Sequence, residues 1–292
     1  MRVPTGPSAP GSVPLVPYAP PVKKASVTKP LDFLVLVLLP WLIFSLIVSL
    51  FAFSFQDFAP LVWALVAASA LLGALFISMG VSRNKVAQVA LGFLILAAVG
   101  LAVPIGLHLV SRYMAEFFSI DYGANYKGVS PDAPGASFLD ASTIEFASGS
   151  SVDAKRSLGY MKFGSVYCVA PIRGKTGDNA SPAFWAVGMG CCERKGGRFT
   201  CGDQANEVAH SGVRVNDGRA NYVNAVRMAS AAYSNLTAVR SEELIFVRWT
   251  ADTSAYRDKL WNSATMFATT ASAVHLLGSS GAGLLLSRCS LR

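Results

Sequence analysis

The chain has 292 residues, 52% of them apolar and only 14% charged, a balance that excludes an ordinary water-soluble globular protein. Its formal charge of +8 would suit a polyanion if it lay on one folded face. Instead Arg2, Lys23, Lys24 and Lys29 precede the first apolar segment, Arg83 and Lys85 separate two others and Arg288 and Arg292 close the chain, so the surplus sits where cations orient membrane helices and no nucleic-acid partner is expected.

Residues 1–31 hold eight prolines, at 4, 7, 10, 14, 17, 20, 21 and 30, and no acid. Such a composition buries no core and predicts a disordered tail. Pro17, Pro20 and Pro21 could serve as a polyproline ligand, but a plain solvated tail needs no matched partner and is the simpler reading.

Three uncharged, Leu- and Val-rich segments follow within residues 32–112, at 34–55, 59–81 and 86–110. Each reaches about 30 Å as a helix, enough to cross a hydrocarbon core. Pro40 and Pro104 mark kinks that a bilayer tolerates, and Trp41, Trp63 and Tyr113 lie where interfacial aromatics are found. A 31-residue tail before the first segment argues against a cleavable signal peptide. Lysines before the first span, Asp57 after it and Arg83 and Lys85 after the second alternate as the positive-inside rule requires, which predicts a cytosolic N-terminus and a lumenal or extracellular position for residues 113–260. Ala70 with Ala74, and Ser69 with Gly73, offer small contacts for helix packing. A pore would require several copies lined by Ser45, Ser49, Ser69 and Ser78, so a homo-oligomer is carried as an option.

Residues 113–260 are expected to form an α+β domain outside the cytosol. Short runs at 142–147, 165–172, 183–188 and 244–249 are rich in Val, Ile, Phe, Tyr or Trp between turn residues and read as strands. Val223, Val226, Ala229, Tyr233 and Leu236 recur at helical spacing within 222–239. Cys168, Cys191, Cys192 and Cys201 form an even set that suits two disulfides, with Cys191 and Cys192 reaching separately to Cys168 or Cys201, because a bond between neighbours would close a strained ring. A zinc site would more typically show paired C-x-x-C knuckles, and none occurs. Asn179 and Asn235 begin glycosylation sequons, the first followed by Pro182.

From 260 to 287 no Asp, Glu, Lys or Arg occurs, which makes 261–287 a candidate fourth transmembrane helix before the short tail 288–292. Its Thr and Ser residues dilute its apolarity, so a surface-lying helix is the competing expectation. If it inserts, Ala264, Ala268, Ala271 and Gly278 should face the other helices, and Cys289 should stay free beside the membrane as a lipidation candidate.

Signs of catalysis are sparse. No nucleophile elbow, zinc helix, P-loop or dinucleotide fingerprint occurs, and the pattern Gly188-Met-Gly190 lacks a third glycine at Glu193. His210 beside Ser211, with Asp203 and Asp217 nearby, has triad residue types, but neighbours in a loop seldom aim at one another. His108 and His275 fall in or near spans and read as neutral, packed side chains. No catalytic, cofactor or metal residue is expected. Three close spans, a large domain bearing a Cys-Cys pair and a candidate fourth span together are similar in outline to tetraspanins, although Glu193 follows the pair where that family has glycine, and no residue role is carried over. The sequence therefore points to a multi-pass membrane scaffold or recognition protein, in contact with the lipid bilayer and with a protein partner or ligand of its outer domain. The alternative is a membrane-tethered enzyme whose active site is scattered through 113–260.

Overall fold

A computed structural model describes residues 30–175, 181–193, 198–237 and 239–289, with side chains from 34 to 285. The N-terminal tail and Asn179 lie outside the described residues, as does the Cys289 side chain.

Helix α1 spans Pro30–Phe53 and stays helical across Pro40. Helix α2 spans Phe55–Ser82 and breaks at Phe58 (φ −131°, ψ 41°), two residues before Pro60, so its regular part begins beside that proline. Helix α3 (Val86–Leu109) runs through one π-helical turn, Val110–Met114, into α4 (Ala115–Tyr122) without a break. The three segments Leu34–Phe53, Phe55–Ser82 and Val86–Tyr122 are long and apolar enough to cross a membrane. Asn84, left-handed at φ 50°, ends α2 while the Lys85 amide donates back to the Gly80 carbonyl at 2.9 Å.

Helices α2 and α3 are held by close backbone approach. A Cβ on Gly92 would lie 2.5 Å from the Gly73 carbonyl oxygen and 2.6 Å from the Ile77 side chain. Of the small residues expected at such contacts, Gly73 is at the crossing and Ala70 packs on the bundle core, whereas Ala74 is exposed and Ser69 returns its hydroxyl to Leu65 O. Serines 45, 49, 69 and 78 do not converge: Ser45 bonds Ser272, and Ser49 and Ser78 are exposed.

The strands are β1 (Ala124–Val129), β2 (Ala141–Phe146), β3 (Ser151–Val152), β4 (Leu158–Lys162), β5 (Ser165–Arg173), β6 (Phe184–Met189), β7 (Ser211–Arg214) and β8 (Ile245–Thr250). They form one mixed sheet in the order β1-β2-β7-β8-β6-β5-β3, with β4 also on β5. Pairs β1–β2 and β6–β8 are parallel and the others antiparallel. Helix α5 (Arg219–Ala232) precedes β8, and α6 (Thr253–Cys289) ends the described chain.

Alternation along the central strands supplies two buried faces. Phe184, Ala186, Ile245, Val247, Trp249, Cys168, Ala170 and Ile172 point into one layer, closed by Phe199, Cys201 and Ala209 from the loop before β7. Trp185, Val187, Phe246 and Val169 point the other way, under Tyr222, Ala225, Val226 and Ala229 of α5. Full burial of each large side chain is worth about 1.5–3 kcal/mol.

Two boundaries expected from the sequence fall inside helices. Residues 113–122 prolong the third helix and 253–260 begin the last, so helices run continuously from the bundle into the sheet. Ile120, Val213 and Leu260 form the apolar joint, packed by Tyr113, Phe117 and Tyr256. The four expected strands are present with ends shifted by at most one residue and the helix ends at Ala232, seven residues before the expected limit, while β1, β3, β4 and β7 carried no clear apolar run.

Candidate functional site

A polar cleft of about 280 Å³ opens where β1 and β2 meet the end of α4 and the start of α6. Its geometry begins at Asp252, whose Oδ1 accepts from the Ser254 amide (2.8 Å), the Ala255 amide (3.1 Å) and the Ser254 hydroxyl (2.6 Å), an N-cap that fixes the first turn of α6. The Ser254 hydroxyl, then the two amides, holds the Asp252 carboxyl below its ordinary pKa. One turn on, Arg257 reaches back to Asp121 at the end of α4 (3.3 Å) and to Asp258 (3.0 Å).

The opposite wall comes from the parallel β1–β2 pair. Asn125 opposes Thr143 in register and accepts a hydrogen bond from its hydroxyl. The Tyr126 phenol donates to Asp140 (2.9 Å), and that bond raises the phenol pKa. Lys127 and Glu145 complete the lining. Glu145 Oε1 lies 3.6 Å from His210 Nε2, and His210 Nδ1 lies 2.7 Å from Val208 O. The cleft thus offers cations at Lys127 and Arg257, carboxylates at Asp121 and Glu145, and hydroxyls at Thr143, Thr253 and Ser254.

Beneath the cleft a second polar network joins sheet to helices. Tyr256 Oη donates to Glu116 Oε1 (2.9 Å), Arg248 of β8 donates to Tyr256 Oη, and its guanidinium lies 3.6 Å from Glu116. Burial is the main cause that pushes the Tyr256 phenol up, so it stays a donor throughout the physiological range.

The triad residue types are not assembled. Asp203 Oδ2 accepts from the Thr250 hydroxyl (3.1 Å) and the Ala251 amide (2.8 Å), clamping the β8–α6 connection, while Ser211 is buried on β7 in register with Glu145 and Thr250. Asp217 lies just ahead of α5. Among the described residues no hydrogen bond links His210 to Ser211. In the bundle, His275 stacks on Phe44 with centroids 4.2 Å apart and His108 tilts against Phe267 at 5.6 Å. Trp41 donates its indole N–H to Ser272 of α6 at 3.1 Å.

Cys168 pairs with Cys192 and Cys191 with Cys201 at disulfide distance, 2.10 and 1.92 Å, so the adjacent cysteines do reach separately. The sulfurs of Cys168, Cys191 and Cys201 lie within 4.8 Å of one another, but bonding leaves none of them as a thiolate for a metal. Asn235 is exposed after α5, while its neighbour Leu236 is buried. Sequence reasoning missed Asp121, Lys127, Glu145 and Arg257. They carry no local motif and meet only because α4 and α6 run antiparallel beneath the β1–β2 pair. No protein-family model, no curated protein and no solved structure matches this chain.

Proposed function

We propose that the protein is a four-span membrane recognition protein, with a cytosolic N-terminus, whose disulfide-braced sheet domain presents the cleft to a polar ligand or partner segment outside the cytosol. The observation that carries recognition is the cleft itself, whose α4–α6 wall carries Asp121 and Arg257 and whose β1–β2 wall carries Lys127 and Glu145, a mixed lining that suits a ligand bearing both charges. What supports a fourth span is the course of α6. Trp41 of α1 bonds Ser272, Phe44 stacks on His275 and Phe53 meets Trp261, so α1 and α6 run antiparallel side by side for about 18 Å at 1.5 Å per residue. Packing along α1 over that length supports a shared crossing. Ala264, Ala268 and Ala271 are packed on the bundle, whereas Gly278 is exposed.

Two measurements test this reading. A glycosylation acceptor placed after Arg292 should remain unmodified while one inside the sheet domain is used; efficient modification of both would leave three spans. In a thermal-shift screen of the full chain in nanodiscs, zwitterionic small molecules should raise the melting temperature of the parent protein and lose that effect in Glu145→Gln and Lys127→Met. An equal response to purely anionic or purely cationic compounds would remove the mixed-charge assignment. The rival reading, a membrane-tethered enzyme, is favoured by one observation, the Glu145–His210 contact at the cleft rim, which could move a proton. It predicts a turnover that falls with His210→Gln; recognition alone predicts none.

A further inference from the structure

We infer that the two disulfides form one thiol–disulfide exchange site, in which reducing equivalents enter at the surface and come to rest on the adjacent Cys191 and Cys192. Three independent features of the sheet converge on it. Cys168 stands on β5 between Gly159 of β4 and Gly188 of β6, all three in register. A Cβ on Gly159 would lie 2.9 Å from Cys192 Sγ, and one on Gly188 would lie 2.7 Å from both Cys191 Sγ and Cys201 Sγ. The glycines therefore open a hollow in the sheet face that the sulfurs of both bonds share.

The second feature is proximity across the bonds. Cys168 belongs to one disulfide and Cys191 and Cys201 to the other, yet their three sulfurs lie within 4.8 Å of one another, a gap that a side-chain rotation can close. The third is asymmetric access. Cys168 is 0% and Cys201 5% exposed, whereas Cys191 and Cys192 are half-buried, so each bond joins a residue sealed in the core to one that borders solvent.

Exchange proceeds by attack of a thiolate on a disulfide sulfur. An external thiolate attacks Cys192 Sγ, forming a mixed disulfide there and expelling Cys168 as a thiolate. Buried among the sulfurs of the second bond, Cys168 attacks Cys201 Sγ, forming Cys168–Cys201 and expelling Cys191. A second external thiolate resolves the mixed disulfide at Cys192, leaving as the external disulfide, and the two protons released by the external thiols end on Cys191 and Cys192. Two external thiols have become one disulfide, two electrons reside on a surface dithiol, and a Cys168–Cys201 bond keeps the sheet braced. The substrate class is a thiol or dithiol, and in reverse a disulfide.

The full chain in detergent, treated under native conditions with one equivalent of dithiothreitol, alkylated and mapped by mass spectrometry, tests the relay. The expected result is alkylated Cys191 and Cys192 together with a Cys168–Cys201 linked peptide as the main partly reduced species. Alkylation of both members of one original pair with the other bond unchanged would overturn it, as would no reduction at all. Cys192→Ser supplies a check without reductant, since it frees Cys168 beside the intact Cys191–Cys201 bond. Scrambling to Cys168–Cys201 with Cys191 alkylated is expected there, and a single unchanged Cys191–Cys201 bond with Cys168 alkylated would also overturn the relay.

Discussion

In α2 the large side chains Leu61, Leu65, Leu71, Leu72 and Leu75 are exposed, and the buried residues are Val62, Val66, Gly73 and Gly80. In β6 the order is reversed, and Phe184, Trp185, Ala186 and Val187 are all sealed between two layers. Apolar bulk in α2 faces the surroundings and the helix meets α3 through glycine, as suits a helix in a medium that solvates Leu as well as a protein core does, whereas α1 and α3 bury Phe44, Ile47, Phe51 and Ile95 between them. Apolar bulk in the sheet is removed from water, which is where its stabilisation arises.

Truncation separates the two regions most sharply. Trp185, 1% exposed and donating its indole N–H to Pro182 O at 2.9 Å, should cost about 4 kcal/mol when changed to Ala. Leu75→Ala, at a residue 57% exposed, should stay within about 0.5 kcal/mol. Unfolding followed by circular dichroism in micelles reads both, and equal losses would erase the contrast.

Enlargement tests the other side. Gly92→Leu should cost about 2–3 kcal/mol in detergent unfolding of the helices, since its Cβ alone meets the Gly73 carbonyl at 2.5 Å. Gly100→Leu, with nothing within 4 Å of its Cβ, should be nearly silent. A smaller effect is expected at the joint. Tyr256→Phe removes the hydroxyl between Glu116 and Arg248 and should lose about 1 kcal/mol, seen as faster hydrogen exchange in α4 and the first turns of α6 with the bundle unchanged.

The smallest expected effect is one of pH. The folded pKa of Asp252 is depressed below its unfolded value by the Ser254 hydroxyl and the Ser254 and Ala255 amides. On acidification the unfolded chain takes up the proton first, so the cap's stabilisation is complete above the unfolded value of about 3.9 and is lost as pH falls through the folded one. Exchange of the first-turn amides of α6 should quicken below about pH 4, and Asp252→Ala should abolish that dependence.

The sequence by itself determined the three apolar spans and the separate reach of adjacent Cys191 and Cys192. Each follows from a property that neighbours along the chain carry: uninterrupted apolarity over a membrane's thickness, or a ring too small to close. Central strands such as β5 and β8 were legible for the same reason, since burial on both faces demands a continuous apolar run. Edge strand β1, with Asn125, Lys127 and Gly128 exposed, and the short β7 need only a partner, and a partner leaves no local mark. Tertiary structure alone decided that α3 and α6 run on past the expected limits to carry the sheet, that Trp41 bonds Ser272, and that Asp121, Lys127, Glu145 and Arg257 line one cleft. Those residues lie up to 136 positions apart, as Asp121 and Arg257 do, and their meeting is set by antiparallel helix packing and a parallel strand register, which no local pattern encodes.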